Sequence, residues 1–176
     1  MPNTWFISDT HFGHAKMLLF TDALLKPVRP EFSSVEEMDE AMVARWNERV
    51  KPGDRIYHLG DVVIRRRDLV ILKRLSGRKV LLRGNHDIFK LADYVPYFED
   101  IRAYKTYPEH GIVCSHVPVH PQQLENRFKV NVHGHLHTNV IPDPRYVNIC
   151  VEKTGYEPIS FEELLTRCAN KPSTLS

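Results

Sequence analysis

The sequence predicts an α/β fold, a mixed sheet arrangement covered by helices. Three observations predict it. Short apolar runs recur along the chain and each ends in a polar cluster, as buried strands do. Helical patterns lie between the early runs. From Ile112 onward the runs follow one another without a helix of useful length, so antiparallel or mixed pairing is expected there.

The first strand is Trp5-Phe6-Ile7. The first helix opens at Ser33-Ser34, where Glu36 and Glu37 three residues on complete a capping box. Met38, Met42 and Trp46 recur every four residues along one face, and Pro52-Gly53 ends the helix near Val50. Ile56-Tyr57-His58-Leu59 is the second strand. A helix over 66–76, with Gly77 as its C-cap, leads to the third strand, Val80-Leu81-Leu82. Ile112-Val113-Cys114, Val130-Asn131-Val132 and Tyr146-Val147-Asn148-Ile149 are the later strands. A last helix starts at Ser160, with Glu163 completing its box, and carries Leu164, Leu165 and Cys168. One domain over 1–169 accounts for the length, and the polar tail 170–176 is expected to fray.

Composition narrows the function classes. The 24 Lys and Arg nearly balance the 22 Asp and Glu, which does not favour a dedicated nucleic-acid or membrane binder. No apolar run approaches the roughly 20 residues that span a bilayer. Cys114, Cys150 and Cys168 are an odd number without close pairing, so they read as reduced thiols of a cytoplasmic protein. No signal-peptide pattern opens the chain. The ten histidines stand out, because several lie beside Asp, Asn or Gly.

Five polar clusters each follow a predicted strand, where ligands of α/β folds gather. Asp9-Thr10-His11 sets a carboxylate and an imidazole two residues apart, able to clasp a cation in a tight turn; a plain surface turn reads equally well. Asp61, after Gly60, could bridge two metals, although a turn or helix cap is the ordinary reading. In Gly84-Asn85-His86-Asp87, Asn offers a neutral carbonyl ligand, His86 could protonate a leaving oxygen, and Asp87 could orient its ring. His116 alone reads first as a satisfied polar residue. In His133-Gly134-His135-Leu136-His137, alternation puts His135 and His137 on one side, which points to a metal.

Together and in this order, Asp-x-His, Gly-Asp, Gly-Asn-His-Asp, His and Gly-His-x-His resemble the calcineurin-like metallophosphoesterase family, from Asp9 to His137. The resemblance implies two mixed β-sheets packed as a sandwich and flanked by helices. It implies that Asp9, His11 and His137 bind one metal, that Asn85, His116 and His135 bind a second, and that Asp61 bridges them. His86 would sit beside the scissile phosphate, with Asn85. Two divalent ions outweigh the charge of Asp9 and Asp61, which suits a phosphate. Such ions, about 3.5–4 Å apart, make hydroxide from a shared water near neutral pH, and it attacks phosphorus in line with the ester oxygen. A nitrogen and oxygen donor set without cysteine suits Mn first, with Fe, Co, Ni or Zn as alternatives.

Other residues keep two readings. His14 is a phosphate contact, a partner behind the ligands, or a helix-start histidine. Arg65, first of three arginines, is a substrate contact or part of a solvated basic face. His58 belongs to the core or backs a ligand, His133 points away from the His135–His137 pair, and His120 is a rim residue or an ordinary polar one. Tyr94, Tyr97, Phe98, Tyr104 and Tyr107 pack in the core, stack a base or form a dimer surface. The expected activity is hydrolysis of a small phosphate ester, a nucleotide among the candidates. Phosphodiesters are slightly favoured, because so short a chain leaves little room for a cap over the site. A monoesterase or a nuclease on the same site is the alternative, and a non-catalytic scaffold is disfavoured because every expected ligand is present.

Overall fold

Alternation within the strands decides the layers. In the computed structural model, which describes residues 2–169, strand β1 (Thr4–Ile7) buries Phe6 on one face and Trp5 and Ile7 on the other. Strands β2 (Arg55–His58) and β3 (Arg78–Leu82) do the same, with Tyr57, Val80 and Leu82 on the first face and Ile56 and Leu81 on the second. A sheet covered on both faces needs apolar residues throughout, which is why these runs were continuous in sequence. The expected tail, 170–176, lies outside the described residues.

The second face meets helix α1 (Val35–Arg49), whose Met38, Met42 and Trp46 are buried against it. Ser34 caps α1 by accepting from the Glu37 N–H at 3.1 Å. Glu37 returns its carboxylate to Ser33 rather than to Ser34, so the box closes one residue early. The segment Arg66–Arg74 is a 3-10 helix and not the expected α-helix. No side chain caps it, and arginines sit at the end where the helix dipole favours acids. It stops at Leu75, so Gly77 (φ +90°) is not its C-cap but part of the turn into β3.

The chain then forms α2 (Leu91–Tyr94), β4 (Asp100–Arg102), β5 (Tyr104–Tyr107), β6 (Ile112–Ser115), β7 (Val130–His133), β8 (Tyr146–Asn148), α3 (Val151–Thr154), β9 (Ile159–Ser160) and α4 (Phe161–Ala169). Ser160 and Glu163 exchange the two expected bonds at the start of α4. One sheet has the order β4-β3-β2-β1-β9, the other β5-β6-β7-β8. Both are mixed, with β9 antiparallel in the first and β5 in the second. The three late strands read from the sequence are parallel to one another, and the antiparallel member is β5, which the sequence reading omitted. Phe6, Tyr57 and Val80 face Ile112, Cys114 and Val132 across the space between the sheets. The fold is therefore the sandwich of two mixed sheets with flanking helices.

Of the clustered aromatics, Tyr94 and Phe98 are buried, Tyr97 packs on the core, and Tyr107 lies against Phe6 and Phe161. Tyr104 is exposed.

Candidate metal centre

Each of the five clusters leaves the C-terminal end of a strand: Asp9 after β1, Asp61 after β2, Asn85 after β3, His116 after β6 and His135 after β7. The strands end, but their pairing continues. Asp9 N–H donates to Gly60 O at 3.0 Å and His11 N–H to Asp61 O at 3.1 Å, while Gly134 N–H donates to His116 O at 2.9 Å. The turns are thus held in register as tightly as the sheets. Close approach is what the glycines provide. A Cβ on Gly84 would run into Asp61 Oδ1, and one on Gly134 into Asp9 Oδ2 and Ser8 Oγ.

Asp9, His11, Asp61, His135 and His137 all adopt positive φ, between +48° and +70°. Non-glycine residues rarely stand there, and such strain gathers at functional sites.

The side chains converge. The His11 ring centroid lies 5.8 Å from His14, 5.6 Å from His86 and 5.2 Å from His137. His116 and His135 are 5.2 Å apart, and His116 Nε2 is 2.8 Å from Asn85 Oδ1. Asp61 joins the two groups, with Oδ2 3.6 Å from His11 Nε2 and 3.4 Å from His116 Nε2. Among the described residues, three donor sets are close enough to hold an ion: Asp9–His11–Asp61, Asp61–His116–His135 and Asp9–His137–Cys150.

The donor set fits divalent ions on the structure's own terms. Asp9 Oδ1 and both nitrogens of His11 are buried and have no hydrogen-bond partner among the described residues. Stranding such groups costs about 1–3 kcal/mol each, and a cation between them removes that cost. Hydrogen bonds behind the site also choose which atoms face inward. His116 Nδ1 is 2.7 Å from the Leu59 carbonyl, which only accepts, so Nδ1 carries a proton there and Nε2 is the ring nitrogen turned toward Asn85 and Asp61. Asp9 Oδ2 is taken by Ser8 Oγ, His135 N–H and Cys150 Sγ, leaving Oδ1 for an ion.

Electrostatics agree. Burial pushes the Asp9 carboxyl up and holds the His11 imidazole well down. Burial also raises Asp61, but the hydrogen bond and charge of His116, with His11 behind them, outweigh it and bring Asp61 to about 2. The counterpart is His116, lifted to about 8 against its own burial by Asp61 and Asp9.

Three residues were missed in sequence. Arg29 is fully buried and donates to the carbonyls of Asp9 and Thr10, at 2.6 and 2.9 Å, and to Glu152 Oε1 at 2.8 Å. That same Glu152 oxygen is 3.1 Å from His137 Nδ1. A buried ion pair therefore ties the backbone of the first cluster to the last histidine of the fifth. Burial raises Glu152, but Arg29 and then His137 hold it down to about 2. No motif pointed to it, because Glu152 and Arg29 lie outside all five clusters. Cys150 corrects the expectation of a site without cysteine. Its thiol donates to Asp9 Oδ2 at 3.2 Å, and burial with the nearby Asp9 pushes it up, so it stays protonated.

Two expected roles change. Asp87 does not orient the His86 ring: its carboxylate accepts from the N–H groups of Asp61, Val62 and Gly84, which fixes the turns instead. Arg65 spends its guanidinium on Asp68 and the Gly13 carbonyl, so it braces the first cluster instead of standing free for a substrate. His58 bonds Thr10 Oγ1 at 2.9 Å from the core, His133 packs on Tyr146 away from the pair, and His120 caps a short 3-10 helix.

Several proteins are similar to this chain in sequence or in fold. The calcineurin-like phosphoesterase family model matches residues 2–139, which includes all five clusters. An uncharacterised protein of Methanocaldococcus jannaschii is 30% identical over 92% of this chain and 89% of its own length. The gene 66 protein of Mycobacterium phage L5 is 29% identical over 80% of each chain. The crystal structure of a protein of unknown function from Aquifex aeolicus superposes with a TM-score of 0.71 at 29% identity, over 93% of this chain and 98% of its own. With its sandwich fold and convergent clusters, this chain belongs to the calcineurin-like phosphoesterase family.

Proposed function

We propose that the chain hydrolyses phosphate esters, phosphodiesters ahead of monoesters, at two divalent ions. Asp9, His11, His137 and Asp61 hold one ion, and Asn85, His116, His135 and Asp61 the other. The observation that carries this reading is that Asp61 belongs to two donor sets at once. Bound there, the ions supply Lewis acidity and an activated water. Mn suits the donors best, with Fe, Co, Ni and Zn as alternatives. The buried thiols Cys114 and Cys150 suit a reducing, cytoplasmic setting.

The chain's own groups do the rest. His86 is exposed beside His11, with its backbone N–H held at 2.8 Å on Asp61 Oδ1. Its ring is placed to donate a proton to the leaving oxygen. His14, half-buried with its ring 5.8 Å from His11, contacts the phosphate. Asn85 and His86 are both exposed at the mouth of the site, which leaves room for a second substituent on phosphorus.

Stripping the protein with chelator and restoring Mn²⁺ should restore cleavage of bis-p-nitrophenyl phosphate, with slower cleavage of the p-nitrophenyl monoester. Preference for the monoester would move the assignment to a phosphatase. Bound metal without cleavage of either would favour a scaffold. Steep loss of activity with salt would favour a nuclease. His86→Ala should keep both metals, by elemental analysis, and slow cleavage about 10²–10⁴-fold, most for poor leaving groups. Loss of metal in that variant would make His86 a ligand instead.

A further inference from the structure

We propose that Cys150 is a latent ligand of the first metal position: beside a hard ion such as Mn²⁺ it stays a thiol, and beside a thiophilic ion such as Zn²⁺ or Co²⁺ it joins Asp9 and His137 as a donor. This rests on the two-ion reading above. The sulfur, a carboxylate oxygen of Asp9 and a ring nitrogen of His137 lie within 4.8 Å of one another. Donors at about 2.0–2.3 Å from one tetrahedral ion stand about 3.6 Å apart, so the three are gathered to nearly that scale. Cys150 and Asp9 are both fully buried. The hydrogen bond of the thiol does not account for its place. Asp9 Oδ2 accepts from Ser8 Oγ, and from His135 N–H at 2.9 Å. Those two donors match the two lone pairs of the oxygen. The thiol is a third donor to it, weak and at 3.2 Å. The oxygen of Asp9 without a partner among the described residues is Oδ1, which the thiol does not serve.

The backbone holds the sulfur against the site. Ser8 and Cys150 form a parallel bridge, and Val151 N–H donates to Ser8 O at 3.1 Å, which fixes Cys150 beside the first cluster. Asn148 ties it to the fifth. Its Oδ1 accepts from Cys150 N–H and its Nδ2 donates to His137 O, both at 2.9 Å. Glu152, two residues on, holds His137 Nδ1 at 3.1 Å and leaves Nε2 for an ion. One short stretch, 148–152, thus places the sulfur and the imidazole together, with Asp9 next to the Ser8 anchor. Thiolate is a soft donor that favours Zn²⁺ over Mn²⁺, whose natural partners are oxygens. The donor set of the second position, Asp61–His116–His135, contains no cysteine, so the two positions differ in the ions they prefer. When the thiol ligates, its S–H bond breaks, the proton leaves to the buffer, and the freed electron pair forms the bond to the ion. Nothing is oxidised or reduced.

The test reads the sulfur itself. Chelator-stripped protein is titrated with Co²⁺ while its near-ultraviolet absorption is followed. A sulfur-to-cobalt charge-transfer band should appear, with the intensity of one thiolate per chain once elemental analysis finds two ions bound. Uptake of Zn²⁺ should release one more proton to the buffer than uptake of Mn²⁺. Cys150→Ser should abolish the band, still bind two Mn²⁺ ions, and weaken Zn²⁺ at one position at least about tenfold, the lower end of what even a residue behind a ligand is worth. Cys114→Ser and Cys168→Ser should both keep the band, which assigns it to Cys150 even where Cys150→Ser does not fold. Two bound Co²⁺ ions without the band in wild type would overturn the proposal, even if the diester is cleaved. A band that survives Cys150→Ser would overturn it in favour of another thiol. Protein that takes up no Co²⁺ would overturn it together with the two-ion reading. A band that Cys150→Ser abolishes, in protein that cleaves neither ester, would uphold it while the phosphoesterase reading alone fails.

Discussion

Asp61→Asn is expected to empty both metal positions and to lower kcat/KM by at least about a thousandfold, because several kcal/mol of charge stabilisation depend on that carboxylate. The substitution is nearly isosteric, so the packing stays. What changes is charge and the number of acceptor lone pairs. Asp61 Oδ1 already accepts the His86 N–H, and Oδ2 faces His11 and His116. An amide keeps one oxygen for one of these duties and turns an N–H₂ toward the other. Elemental analysis of the purified variant and the diester assay together check this. Full metal content with full activity would remove Asp61 from the bridging role.

The second large effect is selective. Glu152→Gln should weaken the ion proposed at Asp9, His11 and His137 about 10–100-fold and leave the one proposed at His116 and His135 in place. The asymmetry follows from the hydrogen bonds. Arg29 and Glu152 brace Asp9 through its carbonyl and His137 through Nδ1. On the other side, His116 is braced by the Leu59 carbonyl. Glu152→Gln also leaves the Arg29 cation buried without its partner, which costs about 3–5 kcal/mol of stability. Pairing it with Arg29→Met removes both charges but leaves the Asp9 and Thr10 carbonyls without their donor, so it recovers only the charge part of that loss. The double variant should therefore melt between the single variant and wild type and still bind one ion weakly. Titration with Mn²⁺, followed by electron paramagnetic resonance, separates the two ions. A variant that loses stability alone, with both affinities intact, would make the pair merely structural.

How much of this was legible in sequence follows from burial. The strands inside the sheets, β1, β2, β3, β6 and β7, announced themselves by apolar residues because neighbours flank each on both sides and, in β1 to β3, both faces are packed. The strands that went unread, β4, β5 and β9, all lie at sheet edges, where Asp100, Arg102 and Lys105 are tolerated. The parallel pairing of β6, β7 and β8 was also hidden, since loops and one short 3-10 helix rather than α-helices make the crossovers. In the site, the residues facing the centre come in tight local patterns and were readable. The residues behind them were not. Arg29 and Glu152 are 123 positions apart and meet only in the folded chain. Asp87 was placed in the right cluster but given the wrong duty, because spacing does not reveal that three backbone N–H groups would claim its carboxylate.

The left-handed conformations of Asp9, His11, Asp61, His135 and His137 reach beyond catalysis. Each costs about 1 kcal/mol, so together they approach the lower end of a typical domain's whole stability, about 5–15 kcal/mol. Ions bound at these residues favour the folded chain by mass action and offset that cost. On the proposed metal centre, heat tolerance then becomes a matter of metal supply. In a cell starved of metal the stripped chain would spend more time unfolded and be cleared by proteases, so the amount of protein, and not only its activity, would track the metal at hand.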